Sequence, residues 1–405
     1  MLIKLKSLIV SGKKQISSDY VKAIFLRYLL YAFGVIDSLI VPILLKNQPD
    51  TYSNIEYLKN AIYLFPNILL GSYSGYTYIK YNKGVDLFNV LFKIGFISSF
   101  FLAIITGIII NNYVIIFPLL FINLYTIIEQ RLKVDKKFSL AFMFKPLLAI
   151  FSILIAFLNY KFTLAIHYNF FILLTFSLAF FSWSIPSRQY FFFDSSFFKI
   201  KRIELLKYLL LIKKIFTGVL ASLVLGVLIF SERYIVEKFY PGYLATYSFA
   251  FNLSQIIVVL ISAFSYLSNI YLGEKINNID KNKLKSQLKV STIGYLALFI
   301  FFSITVVLIR PLYGHFDNLI VITLLVTIGK GYYYITGIFS PIAVYKDYNT
   351  KMLITITSIF ICNVSITFIL GMQAVPLITI LIIDSLFILS YAFYVLDIVF
   401  RRISY

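Results

Sequence analysis

Pro49–Asn60, PDTYSNIEYLKN, and Pro241–Gln255, PGYLATYSFAFNLSQ, carry one pattern twice. Superposing Thr51-Tyr52-Ser53 on Thr246-Tyr247-Ser248 also brings Leu58 onto Leu253 and Asn60 onto Gln255. Working outward from them, apolar runs broken by charge, Pro, Gly and Asn predict spans at 21–45, 55–79, 85–110, 113–130, 138–158 and 162–185. A second set follows at 208–230, 244–271, 288–309, 319–344, 351–371 and 375–398. The two quoted stretches thus open the second and the eighth of twelve spans. They hold the same place in two sets of six, and two halves of equal sidedness form a parallel repeat about an axis along the membrane normal. Such a pair of lobes encloses a cleft near the bilayer midplane.

Composition supports the same class. The 405 residues are 60% hydrophobic and 13% charged, whereas soluble domains carry roughly 45–50% apolar and about 25% charged residues. There is too little charge to coat a globule in water, so the expected fold is an all-α polytopic membrane protein with twelve transmembrane helices in two six-helix lobes. A span takes about 20 residues, which leaves no room for a sizeable extramembrane domain. The expected organisation is an N-terminal arm at 1–20, a first lobe at 21–185, a basic connection at 186–207, a second lobe at 208–398 and a tail at 399–405. Met1–Lys22 is basic, with a short apolar run and no small-residue cleavage site, and reads as a retained arm. Cys362, the single cysteine, excludes an intrachain disulfide.

Lys and Arg number 37 against 17 Asp and Glu. In a soluble chain that excess would suggest nucleic acid; here the loops account for it. Alternate connections from the N-terminus hold 25 Lys and Arg on one side and only Lys46, Lys161, Arg233, Lys238 and Arg310 on the other. The positive-inside rule then makes both termini cytoplasmic.

Seven cations fall inside or at the edge of predicted spans; Lys213 and Lys214 read as cytoplasmic edge residues, and Arg27, Lys59, Lys93, Lys145 and Lys330 are candidate cavity residues for an anionic substrate. A cation at the centre of a lipid-facing helix costs about 2.5–3.5 kcal/mol, so these residues must meet water, anions or acidic partners. For Arg27 and Lys59, near span ends, snorkelling to the interface is the competing explanation. Asp37 and Asp384 are the deep acids. They either relay a coupling proton or Na+ or neutralise Arg27 and Lys330. With cations in excess, the cavity should attract an anion and repel an organic cation. The chain has no Gly-rich phosphate loop, CxxC, HExxH or Asp-x-Asp. No catalytic residue, metal ligand or cofactor is expected.

Ser231–Phe251, SERYIVEKFYPGYLATYSFAF, together with the duplicated six-span unit and the basic central connection, resembles the Wzx-type oligosaccharide flippases of the MATE-like exporter (MOP) superfamily. In that family an acidic-basic pair closes the seventh span and a Gly-x-Tyr-Ser-like start opens the eighth. Here Glu232-Arg233 stands where Asp-Arg is usual, and Ala245 leads Thr246-Tyr247-Ser248 where Gly leads. The resemblance implies a non-enzymatic transporter of the bacterial inner membrane. Its cargo would be an undecaprenyl-diphosphate-linked repeat unit of O-antigen or another polysaccharide, moved from the cytoplasmic to the periplasmic leaflet by alternating access. The implied partners are that lipid-linked glycan, membrane lipids and other polysaccharide-assembly proteins, with no nucleic acid. Two alternatives stay open. One is a multidrug or organic-cation exporter of the same fold, which calls for an acidic cavity. The other is a membrane-embedded polymerase or glycosyltransferase, which calls for a larger outer loop than 231–243.

Overall fold

The computed structural model describes residues 18–63, 88–109, 111–135, 137–191, 202–257, 281–331, 339–340, 342–343 and 348–402. Within them, twelve helices longer than ten residues follow the predicted spans. The first six are α1 (Ser18–Leu44), α2 (49–63), α3 (Phe88–Ile109), α4 (Ile116–Val134), α5 (Phe138–Phe162) and α6 (Tyr168–Ser187). The second six are α7 (Arg202–Phe239), α8 (244–257), α9 (Lys281–Ile309), α10 (Leu319–Gly329), α11 (Asn349–Met372) and α12 (Leu377–Asp397). Six segments are long and apolar enough to cross a membrane, and three shorter apolar helices accompany them. The remainders of the second and eighth predicted spans, most of the tenth beyond 331, residues 192–201 of the central connection and most of the N-terminal arm lie outside the described residues.

Helix is the structure these sequences adopt because hydrocarbon offers backbone groups no other partner. The hydroxyls follow the same rule. Thr126 donates to the carbonyl of Ile122, Thr175 to Phe171, Thr327 to Thr323 and Thr367 to Asn363, each back to the preceding turn. In the first half an aromatic cluster joins α4, α5 and α6. The Tyr125 and Phe144 rings stack 4.4 Å apart, and Trp183 meets Tyr125 edge-on at 5.2 Å. Their polar tips are satisfied, Tyr125 Oη donating to the Ala141 carbonyl and Trp183 Nε1 to that of Leu140. Large rings thus fill the space without leaving a buried donor unpaired.

Helix pairing recurs in the two halves. In the first, α1 lies along α5, α5 along α6, α3 along α4, and α4 touches α6; in the second, α7 lies along α11, α11 along α12, α9 meets α10, and α10 touches α12. Each pair is matched by the one six helices later.

The connections α1–α2, α3–α4, α5–α6, α7–α8, α9–α10 and α11–α12 gather at one end, here the α1–α2 end. Asn159 Nδ2 on α5 donates to Gln48 Oε1, Asn112 Nδ2 to Asn169 Oδ1, Tyr240 Oη to the Val375 carbonyl, and Tyr313 Oη to the Leu39 carbonyl. The turns are tight. Asn111, Thr163, Ala165, Asn318 and Ala374 have φ between 47° and 54°, a left-handed conformation that reverses the chain within a few residues at some steric cost.

One expectation about charge is corrected by α7. The predicted seventh span ends at 230 and leaves Arg233 in a solvent-facing connection, whereas the helix continues to Phe239 and Arg233 is only 1% exposed. Continued apolar packing of Ile235 and Val236, both buried, extends the helix past the charged pair.

Candidate functional site

The ionisable residues of the helices collect into two clusters, one in each half. In the first, Lys59 of α2 points its ammonium at three acceptors: Asp37 Oδ2 of α1 at 3.2 Å, Glu56 Oε1 at 3.1 Å and Ser152 Oγ of α5 at 3.1 Å. An ammonium has three hydrogens to donate, and all three are used. Glu56 Oε1 lies one turn from Lys59 on the same helix face. Asp37 and Ser152 arrive because α1 packs along α5.

In the second cluster Asp384 of α12 accepts from Asn363 Nδ2 of α11 at 2.5 Å, and its carboxyl interacts with the Glu232 carboxyl on α7. Glu232 stands seven residues before the end of α7, as Asp37 stands seven before the end of α1. Asn363 and Ser152 likewise occupy the paired helices α11 and α5. The repeat that the sequence shows at 51–60 and 246–255 therefore extends to polar positions with different residue types. Lys330, directly after α10, is 4% exposed and projects its Nζ to 3.2 Å from the centroid of the Phe251 ring. The Lys330 charge interacts with Glu232 and Arg233. Among the described residues, Lys330 Nζ and Asn363 Oδ1 have no hydrogen-bond partner, and neither do Arg233 Nε and Nη2, Tyr247 Oη or, in the first cluster, Asp37 Oδ1.

Glu56 and Arg233 join the two halves. Arg233 Nη1 donates to the Glu56 backbone carbonyl at 2.8 Å, and Asn252 Nδ2 of α8 to Glu56 Oε2 at 2.6 Å. The Arg233 guanidinium lies 4.8 Å from the Phe251 centroid and 5.8 Å from that of Tyr247. Nearer the α1–α2 end, Phe316 meets Tyr52 at 6.1 Å and Phe249 at 5.0 Å. With the Tyr313 bond to Leu39, these contacts seal the halves against each other at that end.

The charges of the two clusters nearly balance. Asp37, Glu56, Glu232 and Asp384 supply four carboxyls; Lys59, Arg233 and Lys330 supply three cations. Two interacting buried carboxyls hold one proton, or one other monovalent cation, between them. With that single charge in place the set is neutral; without it, one negative charge is left buried, which is costly. The arrangement thus has the chemistry to take up and release one cation at Glu232–Asp384.

The other candidates fall elsewhere. Lys145 is exposed on α5, where its charge reaches the Tyr63 hydroxyl, and Lys93 is half-buried on α3. Arg27 lies in α1, ten residues and about 15 Å along the axis from Asp37; its side chain is outside the described residues. Asp37 is neutralised by Lys59. Glu56, Glu232, Asn252, Asn363 and Phe251 belong to the clusters although sequence reasoning named none of them a site residue. The Glu232-Arg233 dipeptide, read there only as a family feature, was the available signal.

No family model and no curated protein sequence matches the chain. Solved structures do. An inward-facing multidrug resistance MATE family transporter of the MOP superfamily superposes with a TM-score of 0.61 at 14% identity, over 96% of this chain and 95% of that one. An outward-facing one gives 0.53 at 14% identity, over 92% and 91%. A MOP superfamily transporter from Pyrococcus furiosus, described as having a binding pocket of reverse polarity, gives 0.58 at 12% identity, over 94% and 95%. The chain has the MOP exporter fold, a multi-pass helical membrane architecture.

Proposed function

We propose that the chain is an alternating-access flippase of the bacterial inner membrane, carrying an undecaprenyl-diphosphate-linked oligosaccharide repeat unit from the cytoplasmic to the periplasmic leaflet. The observation that carries the transport reading is the seal between two halves of like helix pairing at the α1–α2 end. In this reading all twelve helices span the membrane, in lobes at 21–185 and 208–398 joined by 186–207. The α1–α2 end bears the cation-poor connections and is periplasmic by the positive-inside rule. A seal there leaves the cleft open to the cytoplasm, in keeping with the higher TM-score to the inward-facing relative.

For the cargo, Arg27, Lys93 and Lys145 are the cations offered to the diphosphate, Lys145 being exposed on α5. Lys59 and Lys330 act on it only through the clusters that hold them. A diphosphate bearing sugars does not cross about 30 Å of hydrocarbon unaided; a cleft between lobes shelters the head group while the prenyl tail stays in lipid. The Glu232–Asp384 pair, with Asn363, supplies the coupling site for H+ or Na+, and Asp37 is locked by Lys59. One observation favours a second reading, an organic-cation exporter: the buried clusters hold more carboxyls than cations.

The deciding experiment is deletion of the gene, with complementation by wild type and by Lys93→Ala and Lys145→Ala chains. A flippase deletion accumulates single lipid-linked units on the cytoplasmic face, and the two variants fail to restore surface glycan at unchanged protein level. Units displayed outside the deletion strain overturn this reading. Normal surface glycan with raised sensitivity to cationic compounds replaces it with the second.

A further inference from the structure

Lys330 is held in a tight slot. A Cβ on Gly329 would come within 2.8 Å of Ser385 Oγ, and one on Gly331 within 2.8 Å of Tyr295 Oη. The backbone on either side of Lys330 is therefore pressed against α12, next to Asp384, and against α9. It is fixed there, and any movement of its charge belongs to the side chain, which has four rotatable bonds. That charge rests on the Phe251 ring face, with no hydrogen bond to Nζ among the described residues. A desolvated ammonium on an aromatic face is stabilised, but an ammonium between two carboxylates is stabilised more. The carboxyl pair stands close by, and Asn363 Oδ1, a neutral oxygen acceptor 1% exposed as a residue, is also unpartnered.

We propose that Lys330 is a tethered counter-cation that alternates with a monovalent cation at the Glu232–Asp384–Asn363 site, parked on Phe251 when the site is filled and swung onto the carboxyls when it is empty. This rests on the ion-coupling part of the function proposed above. Local charge favours it: an empty pair sets two carboxylates side by side in a low-dielectric interior, and of the three cations in the set Lys330 is the one whose charged group makes no hydrogen bond. Lys59 is committed to Asp37 and Glu56, and Arg233 to the Glu56 carbonyl. Lys330 thus keeps two bare carboxylates from facing each other when the ion is gone, and it lowers the affinity for the ion it replaces so that the ion can leave. Nothing covalent changes; one cation is exchanged for another.

The test is binding of radioactive sodium to the purified full chain in detergent, at a pH where carboxyls are ionised. Removing the competitor in Lys330→Met should raise apparent sodium affinity by about tenfold or more, the scale of one opposing unit charge a few ångströms away. Removing the resting place in Phe251→Leu should lower it by about threefold or more. Asp384→Asn should abolish binding in either background. Sodium affinity equal to or below wild type in Lys330→Met overturns the tethered-cation role while leaving the coupling site standing. If the Met variant does not fold, unchanged or raised affinity in Phe251→Leu overturns it equally. Absence of sodium binding in wild type and in every folded variant overturns both the tether and the sodium-coupled form of the proposed function.

Discussion

The two polar clusters occupy matching places in the two halves, yet they are finished differently. Around Lys59 every ammonium hydrogen has an acceptor, and Glu56 uses both carboxylate oxygens and its backbone carbonyl, with Asp37 Oδ1 the one cluster oxygen left without a partner. Around Asp384 the carboxyls face each other, while Lys330 Nζ and Asn363 Oδ1 have no hydrogen-bond partner. A saturated cluster is a fastening, because any change leaves a buried charge bare. An unsaturated one has room for an ion. Matching places in the two halves thus hold a cluster that ties the halves together through Glu56 and one to which the proposed cation exchange is assigned.

Lys59→Met should show that asymmetry most strongly. Asp37 and Glu56 would lose their shared cation, and breaking a buried pair from one side costs about 3–5 kcal/mol. Thermal unfolding in detergent reads this as a large fall in midpoint. A loss under about 1 kcal/mol would mean the first cluster is no fastening and the comparison with the second fails.

Glu56→Gln has a smaller expected effect. Its bonds from Asn252 and from Lys59 both lose the carboxylate charge while Asp37 still holds the ammonium, a loss of about 2 kcal/mol shared between the first cluster and the contact between the halves. The consequence to measure is access from the α1–α2 end. With the exposed Cys362 replaced by Ser and a cysteine placed at Ser248, which is fully buried, Glu56→Gln should speed labelling by a membrane-impermeant thiol reagent. Unchanged labelling would remove Glu56 from the seal.

The smallest effect concerns pH. His315, in the turn beside Phe316, has its imidazole pKa held below the usual 6.5, first by partial burial and then by nearby Lys46. The folded state disfavours the charged form. The closed seal is therefore fully stable above pH 6.5 and loses stability as pH falls through that value toward the lowered one. A modest fall in unfolding midpoint on mild acidification, absent in His315→Gln, is the expected outcome. Equal acid sensitivity in both chains would place the titrating group elsewhere.

Much of the architecture was legible because it depends on local pattern. Twelve apolar runs correspond to twelve helices, and the cation-poor connections containing Lys46, Lys161, Lys238 and Arg310 gather at one end. Arg233 was misread because helix end and span end were taken together: α7 runs nine residues beyond the predicted span. Lys59 and Lys330 were expected to line a cavity for an anion and are found buried beside acidic residues; the excess of positive charge in the interior was inferred from span depth alone. Glu56, at the start of the predicted second span, and Glu232, just past the end of the seventh, restore the balance.

Sequence by itself determined that this chain is a bundle of apolar membrane helices, because hydropathy and loop charge act over tens of neighbouring residues. Only the tertiary structure decided which charges meet. Lys59 finds Asp37 across 22 positions, Asn363 finds Asp384 across 21, Arg233 reaches Glu56 across 177 and Asn252 reaches it across 196. Whether a buried lysine faces a substrate, an acid or an aromatic ring depends on the rotation and depth of helices brought together from distant parts of the chain. A few ångströms in that packing separate a saturated salt bridge from a site left open for an ion.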